Sequence, residues 1–220
     1  MKTIIILDYD GVIVDSIEIF ARTVRVATGK LNQPTEFDPE DLKSIQRMTI
    51  EEICDYVEIS RDRLPEFLEV LDRELYQAAG EIPLFPNMAQ VIRQLSRAGI
   101  LAIVSATPAY IVNKVLKNHS IERYFDCVVG GDSPGAKSVK IKSIIEQYDS
   151  RPDIVCMVGD TISDIEEGNA ADVATIAVDW GWHSIDHLLS AGPDAVAHRP
   201  EDLIELTQQL VKPSRFDVAR

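Results

Sequence analysis

Cysteine is scarce in this sequence, and the few cysteines lie far apart. The chain has only three in 220 residues, Cys54, Cys127 and Cys156. Their number is odd and no pair has the CxxC spacing, which argues against a disulfide framework and against a zinc site. We therefore expect this protein to work in a reducing compartment, the cytoplasm.

Long apolar runs are also missing. The run that begins at Thr3 is interrupted by Asp8, so it is far too short for a membrane span or for the apolar part of a signal peptide. A short β-branched run of this kind is typical of a buried strand. Apolar residues make up 45% of the chain and charged residues 26%, the composition of a folded globular protein.

Basic residues are in the minority. The chain carries 22 lysines and arginines against 36 aspartates and glutamates, a formal net charge of −14. The resulting field repels polyanions, so we expect neither nucleic acid nor an anionic membrane as a partner. A small phosphorylated metabolite remains compatible with this charge, because a divalent cation and a few local donors can overrule the global field at one site.

The apolar runs that are present alternate with helical patterns. Four short runs without polar alternation lie at residues 4–7, 100–104, 154–158 and 175–178. Such runs are typical of strands that are covered on both faces of a parallel sheet. Apolar residues at helical spacing lie between them at 88–95 and 141–148. The sequence therefore predicts an α/β fold with a doubly wound, Rossmann-like parallel sheet.

The segment 16–80 breaks this alternation. It contains several helical patterns and no convincing strand. One apolar stripe at helical spacing runs through residues 17–24 and another through residues 64–75. The segment is therefore predicted to be an all-helical cap.

The cap is expected to be inserted into the α/β core. Residues 1–15 and 81–220 would form that core, which the cap interrupts. Polar and helix-breaking residues at 15–16 and 80–83 are of the kind that serve as hinges. We expect the cap to open and close over the core at these hinges.

Polar residues directly follow the first predicted strand. In an open parallel sheet, ligands bind outside the carboxyl ends of the strands. Asp8 and Asp10 stand at this edge, and Gly11 permits a tight turn that lets the backbone approach a ligand. Two carboxylates suit phosphoryl transfer, because one can attack the phosphate while the other protonates the leaving oxygen and then activates water.

The second strand is followed by a predicted anion site. Ser105, Ala106, Thr107 and Pro108 come directly after it. We expect Thr107 to be the N-cap of a helix and Pro108 its first residue. The unpaired N–H groups of that helix would face the same sheet edge, where they can bind an anion.

Further acids and a cation are predicted at the same edge. Asp160 and Asp164 follow the strand at 154–158, and their carboxylates could share a metal. Mg²⁺ is the natural choice beside a phosphate, because it takes hard oxygen ligands. Lys137 opens the helix that contains residues 141–148 and could bring a positive charge to the site, with Lys140 as the alternative lysine.

These elements resemble the motifs of the haloacid dehalogenase superfamily, in its phosphatase branch. The family's first motif, an apolar strand followed by Asp-x-Asp-Gly and then Asp-Ser, is matched by residues 4–16. The second motif, a serine or threonine at a strand end, is matched by Ser105, and the third, a lysine at a helix start, by Lys137. The fourth, an apolar strand followed by Gly-Asp and a second acid, is matched by Asp160 and Asp164.

The resemblance implies a role for each matched residue. Asp8 would be the nucleophile and Asp10 the general acid and base. The phosphate would be held by Ser105 and Lys137, with Gly11 and Ala106 beside it. Mg²⁺ would be held by Asp8, by the backbone carbonyl of Asp10, and by the carboxylates of Asp160 and Asp164.

The chain also resembles a subgroup of this family. Residues 179–183 and 191–194 are similar to segments of the phosphoglycolate phosphatase-like enzymes. That subgroup usually carries Lys-Pro at the third motif, whereas residues 135–138 read Gly-Ala-Lys-Ser. The resemblance thus implies a magnesium-dependent phosphatase of a small phosphate monoester and leaves its substrate open.

Three other functions share parts of this pattern. A dehalogenase on the same fold would use Asp8 to displace a halide from carbon, but it needs neither Asp10 nor Asp160. A phosphomutase shares every motif and differs in passing the phosphoryl group on. A receiver-like phosphate-binding module without turnover also combines acids, a lysine and a hydroxyl, but it has no use for a helical cap.

Overall fold

The strands form one parallel sheet. The protein is represented by a computed structural model that describes residues 2–211. Its strands are β1 Ile4–Leu7, β2 Ile100–Val104, β3 Cys127–Val129, β4 Val155–Gly159, β5 Ala174–Val178 and β6 Ala195–Ala197. The six strands lie in the order β3-β2-β1-β4-β5-β6, and every pair is parallel. The order reverses between β1 and β4, the switch point of a doubly wound sheet. The predicted fold class is confirmed.

The helices cover the sheet and build the segment between β1 and β2. They are α1 Ile17–Lys30, α2 Pro39–Ser44, α3 Ile50–Tyr56, α4 Leu64–Ala78, α5 Met88–Leu95, α6 Ala109–Asn118, α7 Lys137–Gln147, α8 Ile162–Ala170, α9 Ile185–Leu189 and α10 Asp202–Leu210. Side chains of β1 alternate between two core clusters. Ile5 and Leu7 join the cluster that contains the buried stripe of α5, and Ile4 and Ile6 join the one that contains α7.

The four predicted strands are present, with small shifts at their ends. The predicted run at 154–158 becomes β4, one residue later, because Ile154 closes a 3₁₀ turn at Pro152–Ile154. The run at 175–178 begins one residue earlier, at Ala174. β3 and β6 were not predicted, and each is only three residues long.

The segment that leaves β1 is helical. Residues 16–80, all of which the structure describes, contain α1 to α4 and no strand. α1 packs against α4, and the buried side chains between them include Val24, Phe67 and Leu71. The 16–80 insert is the name used below for this segment.

The two connections of the 16–80 insert lie side by side. Val14 and Leu84 form an antiparallel bridge. The amide of Asp15 donates to the Pro83 carbonyl at 3.0 Å, and the amide of Phe85 donates to the Ile13 carbonyl at 3.1 Å. The chain therefore leaves the core and returns to it through one paired segment.

The start of α6 differs from the prediction. Pro108, not Thr107, is the N-cap, and the helix begins at Ala109. Thr107 does not cap the helix because its hydroxyl donates to Asp10 instead, at 2.7 Å. The first helical amide, that of Ala109, is already bonded to a carboxylate oxygen of Asp132 at 2.8 Å. The predicted anion site at this helix start is therefore partly filled by a side chain of the protein.

The cysteines and the helices allow two further observations. Cys54, Cys127 and Cys156 are all free thiols, and the first and last of them are buried. Within residues 2–211, no helix combines the length and the apolar character that a membrane crossing requires.

Candidate active site

Three carboxylates meet at the carboxyl edge of the sheet. Asp8 follows β1, Asp160 follows β4, and Asp164 lies in the first turn of α8. One oxygen from each lies within 4.8 Å of the others, and all three residues are buried. Because β1 and β4 are neighbouring parallel strands, their carboxyl ends bring Asp8 and Asp160 together.

Glycine permits the close approach of the strand ends. Gly11 has φ +70°, a left-handed conformation that favours glycine. A Cβ atom at this position would lie 1.9 Å from Asp160 Oδ2, and one at Gly181 would lie 2.2 Å from Asp160 Cβ. The carboxylate of Asp160 is therefore enclosed by two backbone segments that come this near only without side chains. The amide of Trp182 donates to Asp160 Oδ2 at 2.8 Å and fixes its orientation.

Lys137 neutralises part of this negative charge. Its Nζ lies 2.5 Å from Asp164 Oδ1 and 3.0 Å from Asp8 Oδ1, and 15% of its side chain is exposed. Burial acts to lower the pKa of Lys137, but attraction to Asp164 and Asp8 outweighs burial and raises it. Lys137 therefore stays protonated at neutral pH.

The alternative lysine points elsewhere. Lys140 is buried, and its Nζ donates to the Gly130 carbonyl at 2.8 Å. Burial, with a smaller contribution from the charge of Lys137, lowers the pKa of Lys140. Helix α7 thus brings Lys137 to the carboxylates and Lys140 to the loop after β3.

Asp164 is held by its own helix start. Thr161 is the N-cap of α8, and it forms a reciprocal capping box with Asp164. Asp164 Oδ2 accepts from the Thr161 amide at 3.1 Å and from the Thr161 hydroxyl at 2.7 Å. Its Oδ1 faces Lys137, so both oxygens have protein partners.

Asp10 lies apart from this cluster and is bound by hydroxyls. Its Oδ1 accepts from Ser16 Oγ at 2.6 Å and its Oδ2 from Thr107 Oγ1 at 2.7 Å. Burial raises the pKa of Asp10, although both hydroxyls act against that shift. A carboxyl group in this setting can carry a proton closer to neutral pH than an exposed one can.

Burial also changes the acidity of the cluster. It raises the pKa of Asp8 to about 7, and repulsion by Asp164 adds to the effect while Lys137 opposes it. The pKa of Asp160 is raised well above its ordinary value, again mainly by burial and then by Asp164. The charge of Lys137 therefore does not balance the negative charge of the three carboxylates, and a bound cation would lower the free energy of their ionised form.

The loop after β2 lies at the same edge. Ser105 is buried, and its Oγ accepts from the Thr107 amide at 3.0 Å. Ala106 is exposed. The amide of Gly131 donates to the Thr107 carbonyl at 3.0 Å, and a Cβ at Gly131 would lie 1.9 Å from the Ala106 carbonyl oxygen. The loop after β3 thus braces the loop that contains Ser105.

The acidic cluster fits a divalent cation with oxygen ligands. Asp160 Oδ1 is buried and accepts no hydrogen bond, and Asp8 Oδ1 has only the ion-pair contact with Lys137. Buried carboxylate oxygens without hydrogen bonds are costly unless a cation meets them. Asp8, Asp160 and Asp164 offer hard oxygen donors of the kind that Mg²⁺ and Ca²⁺ prefer.

The structure brings most of the residues predicted from the sequence to one place. The carboxylates of Asp8, Asp160 and Asp164 lie within ligand distance of one another, and Lys137 contacts Asp8 and Asp164. Asp10 is linked through Thr107 to the loop of Ser105. Sequence reasoning did not identify Ser16 and Thr107 as the donors to Asp10. It also missed Thr161, although a threonine three residues before an acid is the signature of a capping box.

The sheet and the site together define a doubly wound α/β protein with a carboxylate cluster at the switch point of the sheet and a helical insert after the first strand. A sequence profile described as haloacid dehalogenase-like hydrolase matches residues 5–178, which is more than half of the chain. The chain belongs to the haloacid dehalogenase-like hydrolase family.

Curated relatives span almost the whole chain. The phosphoglycolate phosphatase of Synechococcus elongatus is 26% identical over 213 residues, covering 94% of this chain and 98% of the relative. That of Vibrio vulnificus is 28% identical over 217 residues, covering 92% and 95%. The resemblance to the phosphatase branch is thereby confirmed, and the protein is a phosphohydrolase.

Solved structures show the same fold. A haloacid dehalogenase-like family hydrolase from Streptococcus pneumoniae superposes with a TM-score of 0.80 at 23% identity, covering 94% of this chain and 98% of its own. CbbY from Rhodobacter sphaeroides, solved in complex with phosphate, has a TM-score of 0.78 at 18% identity, covering 92% and 96%. At these identities the likeness concerns the fold.

Proposed function

We propose that this protein is a magnesium-dependent phosphatase that hydrolyses a small phosphate monoester through an aspartyl-phosphate on Asp8. The observation that supports this most directly is the buried cluster of Asp8, Asp160 and Asp164, whose ligand atoms lie within 4.8 Å of one another. Lys137 against Asp8 adds a fixed positive charge for the phosphate oxygens.

The first displacement forms the covalent intermediate. A carboxylate oxygen of Asp8 attacks phosphorus, and the bond from phosphorus to the ester oxygen breaks. Asp10 supplies the proton that the departing oxygen needs, which its raised pKa favours. The products of this step are the free alcohol and the phosphorylated side chain of Asp8.

The second displacement regenerates the enzyme. Asp10, now ionised, takes a proton from a water molecule, and the water oxygen attacks phosphorus. The bond to Asp8 breaks, which releases inorganic phosphate and restores the carboxylate. Ser16 and Thr107 would hold Asp10 in one orientation through both steps, since each donates to one of its oxygens.

The metal would be held by Asp8, Asp160 and Asp164, with the backbone carbonyl of Asp10 as a further ligand. Bound there, Mg²⁺ neutralises negative charge on the transferred oxygens. Ser105 and Lys137 would bind the phosphate, with the backbone of Gly11 and Ala106 beside it. Lys140 is not part of this set, because its ammonium group is engaged at the Gly130 carbonyl.

The substrate is the least constrained part of the proposal. The curated relatives are named phosphoglycolate phosphatases, which makes 2-phosphoglycolate the first compound to test. The missing Lys-Pro at residues 135–138 is a reason to test other small monoesters beside it.

We place the reaction in the cytoplasm, since all three thiols are free. We also propose that residues 16–80 form the cap.

Phosphate release with and without metal tests this function. Wild-type protein is assayed with p-nitrophenyl phosphate and a metabolite panel, in Mg²⁺ and in EDTA, beside Asp8→Asn. The exposed Asp62 provides a matched control, Asp62→Asn, which makes the same change of charge away from the site. We expect release that requires Mg²⁺, survives in Asp62→Asn and falls at least about 1,000-fold in Asp8→Asn. Full activity in Asp8→Asn would refute the nucleophile.

A further inference from the structure

His183 joins the 16–80 insert to the helix that carries Asp164. It is only 2% exposed, and both ring nitrogens have partners. Nδ1 lies 3.1 Å from the amide nitrogen of Ile162, the first residue of α8, and Nε2 lies 3.0 Å from the Ile45 carbonyl oxygen in the insert.

These partners determine the tautomer of the ring. An amide N–H only donates, so Nδ1 must present its lone pair to Ile162. A carbonyl oxygen only accepts, so the proton of the neutral ring is on Nε2 and points to Ile45. Burial lowers the pKa of His183, which agrees with a neutral ring.

Both partners lie at functionally important places. Ile162 is two residues from Asp160 and two from Asp164, and the amide of His183 donates to the Asp160 carbonyl at 3.3 Å. Ile45 directly follows α2 in the insert. Two residues further on, Arg47 pairs with Glu166 of α8 at 2.6 Å. Residues 45–47 therefore dock on the same helix that supplies Asp164.

We propose that His183 is a positioning residue of the phosphatase, which fixes residues 45–47 of the insert on the acid-bearing end of α8. The inference rests on the proposed function. Its Nε2 bond holds the insert in place beside the substrate, and its Nδ1 bond keeps the ring aligned for that contact. At the start of α8 the ring meets the Ile162 amide, while the capping box satisfies the amides of Thr161 and Asp164.

The two nitrogens can be tested separately. Asparagine places an oxygen near the position of Nδ1, so His183→Asn keeps the acceptor for Ile162 but loses the donor to Ile45. Glutamine places an amide nitrogen near the position of Nε2, so His183→Gln keeps the donor to Ile45. Glu166→Gln, which weakens the exposed ion pair with Arg47, is the matched control on the same docking surface.

Hydrogen exchange and kinetics provide the readouts. In His183→Asn, we expect exchange in peptides covering residues 40–50 to quicken about tenfold, the ratio expected for one lost buried hydrogen bond. kcat/KM for the best metabolite should fall by a similar factor, with a smaller loss for p-nitrophenyl phosphate, which depends less on the insert. His183→Gln should restore both quantities most of the way, and Glu166→Gln should change them by less than about twofold.

Two results would overturn the inference. One is equal exchange at residues 40–50 in His183→Asn and wild type. The other is equal damage from asparagine and glutamine to both substrates, which indicates general disruption of the fold. If His183→Asn does not fold, fast exchange at residues 40–50 in a folded His183→Gln would also refute it. The exchange experiment needs no turnover, so an inactive wild type would count against the proposed function alone.

Discussion

Gly11 shows how one missing side chain determines the geometry of the site. It has a positive φ, and a Cβ atom at this position would lie only 1.9 Å from Asp160 Oδ2, closer than one at Gly181 would come to Asp160. A carboxylate at a sheet switch point can be this close to the neighbouring strand's loop only if that loop has no side chain there. Gly11 therefore acts sterically: it leaves room for the carboxylate of Asp160, the proposed metal ligand.

Gly11→Ala is expected to damage both the fold and the reaction. The methyl group must displace Asp160 or the turn, and the left-handed conformation adds roughly 1 kcal/mol of strain. We expect a loss of at least about 2 kcal/mol of unfolding free energy and about a hundredfold in kcat, since an ångström of misplacement has that effect. Urea unfolding and phosphate release provide the two measurements.

Gly29→Ala is the control for that substitution. Gly29 lies in α1 and is exposed, and a Cβ atom added there would have no other atom within 4 Å. Alanine should raise the stability there by about 0.5–1 kcal/mol and leave kcat unchanged. Equal effects of the two substitutions would contradict the steric role of Gly11.

The residues of the site were predictable where strand ends determine them. Asp8 and Asp160 each follow an apolar run, and the topology of a parallel sheet places such residues together. The bonds from Ser16 and Thr107 to Asp10 depend on tertiary contacts between segments that are 6 and 97 residues apart. Local propensity led to the wrong role for Thr107, because a Thr-Pro pair reads as a helix start whether or not its hydroxyl has a distant partner.

At the level of elements, side chains at the end of helix α6 form hydrogen bonds with the segment that returns from the insert to the core. Lys114 Nζ donates to the Tyr76 carbonyl at 2.7 Å, and Asn118 Nδ2 donates to the Ala79 carbonyl at 3.2 Å. His119 Nε2 lies 2.8 Å from the Ile82 carbonyl. These carbonyls belong to the last turn of α4 and to the segment after it. The hinge expected at residues 80–83 can move only if such bonds break.

Asn118→Ala is expected to loosen this return segment. Asn113→Ala, the same substitution at an exposed position inside the same helix whose side chain does not reach the return segment, is the control. Asn118→Ala should be less stable than Asn113→Ala by about 1 kcal/mol, the usual net value of one hydrogen bond. Amide exchange at residues 79–83 should be faster only in Asn118→Ala. Equal exchange in both variants would show that the hydrogen bond from Asn118 to Ala79 does not stabilise the return segment.

Elements were predictable in proportion to their length and regularity. The stripes of α1 and α4 and the apolar runs of the long strands are repeated signals. β3 and β6 have three residues each, and in β3 all three are half-buried. So short a run carries no periodicity, and these edge strands are defined by pairing with β2 and β5.

For the whole molecule, the buried acids make stability depend on pH and metal. Asp8 has a pKa of about 7 in the folded protein against 3.8 as its ordinary value. The folded state therefore binds more protons than the unfolded state between these values, and stability falls as the pH rises through that interval. The proposed Mg²⁺ would act in the opposite sense, because its cluster of ligands is assembled only in the folded state.

Thermal unfolding at two pH values tests this dependence. In EDTA, the wild-type Tm should be higher at pH 5 than at pH 8. Asp8→Asn should show a smaller difference, because it removes the carboxylate that becomes charged in this interval. Mg²⁺ at about 100 times its dissociation constant should raise the wild-type stability at pH 8 by about 2.7 kcal/mol. A wild-type Tm that is independent of both pH and Mg²⁺ would contradict the acidity assigned to Asp8.

The pairing of the chain at residues 13–15 with 83–85 has a consequence for how this architecture can diversify. The insert leaves and re-enters the sheet domain at adjacent points, so the distance that the sheet requires between them does not depend on what lies in the insert. A longer or shorter module could be grafted between these two points without changing the sheet, as long as it keeps Ser16 on Asp10 and the contact of residues 45–47 with His183 and α8. New substrate ranges can then arise by exchange of one contiguous gene segment.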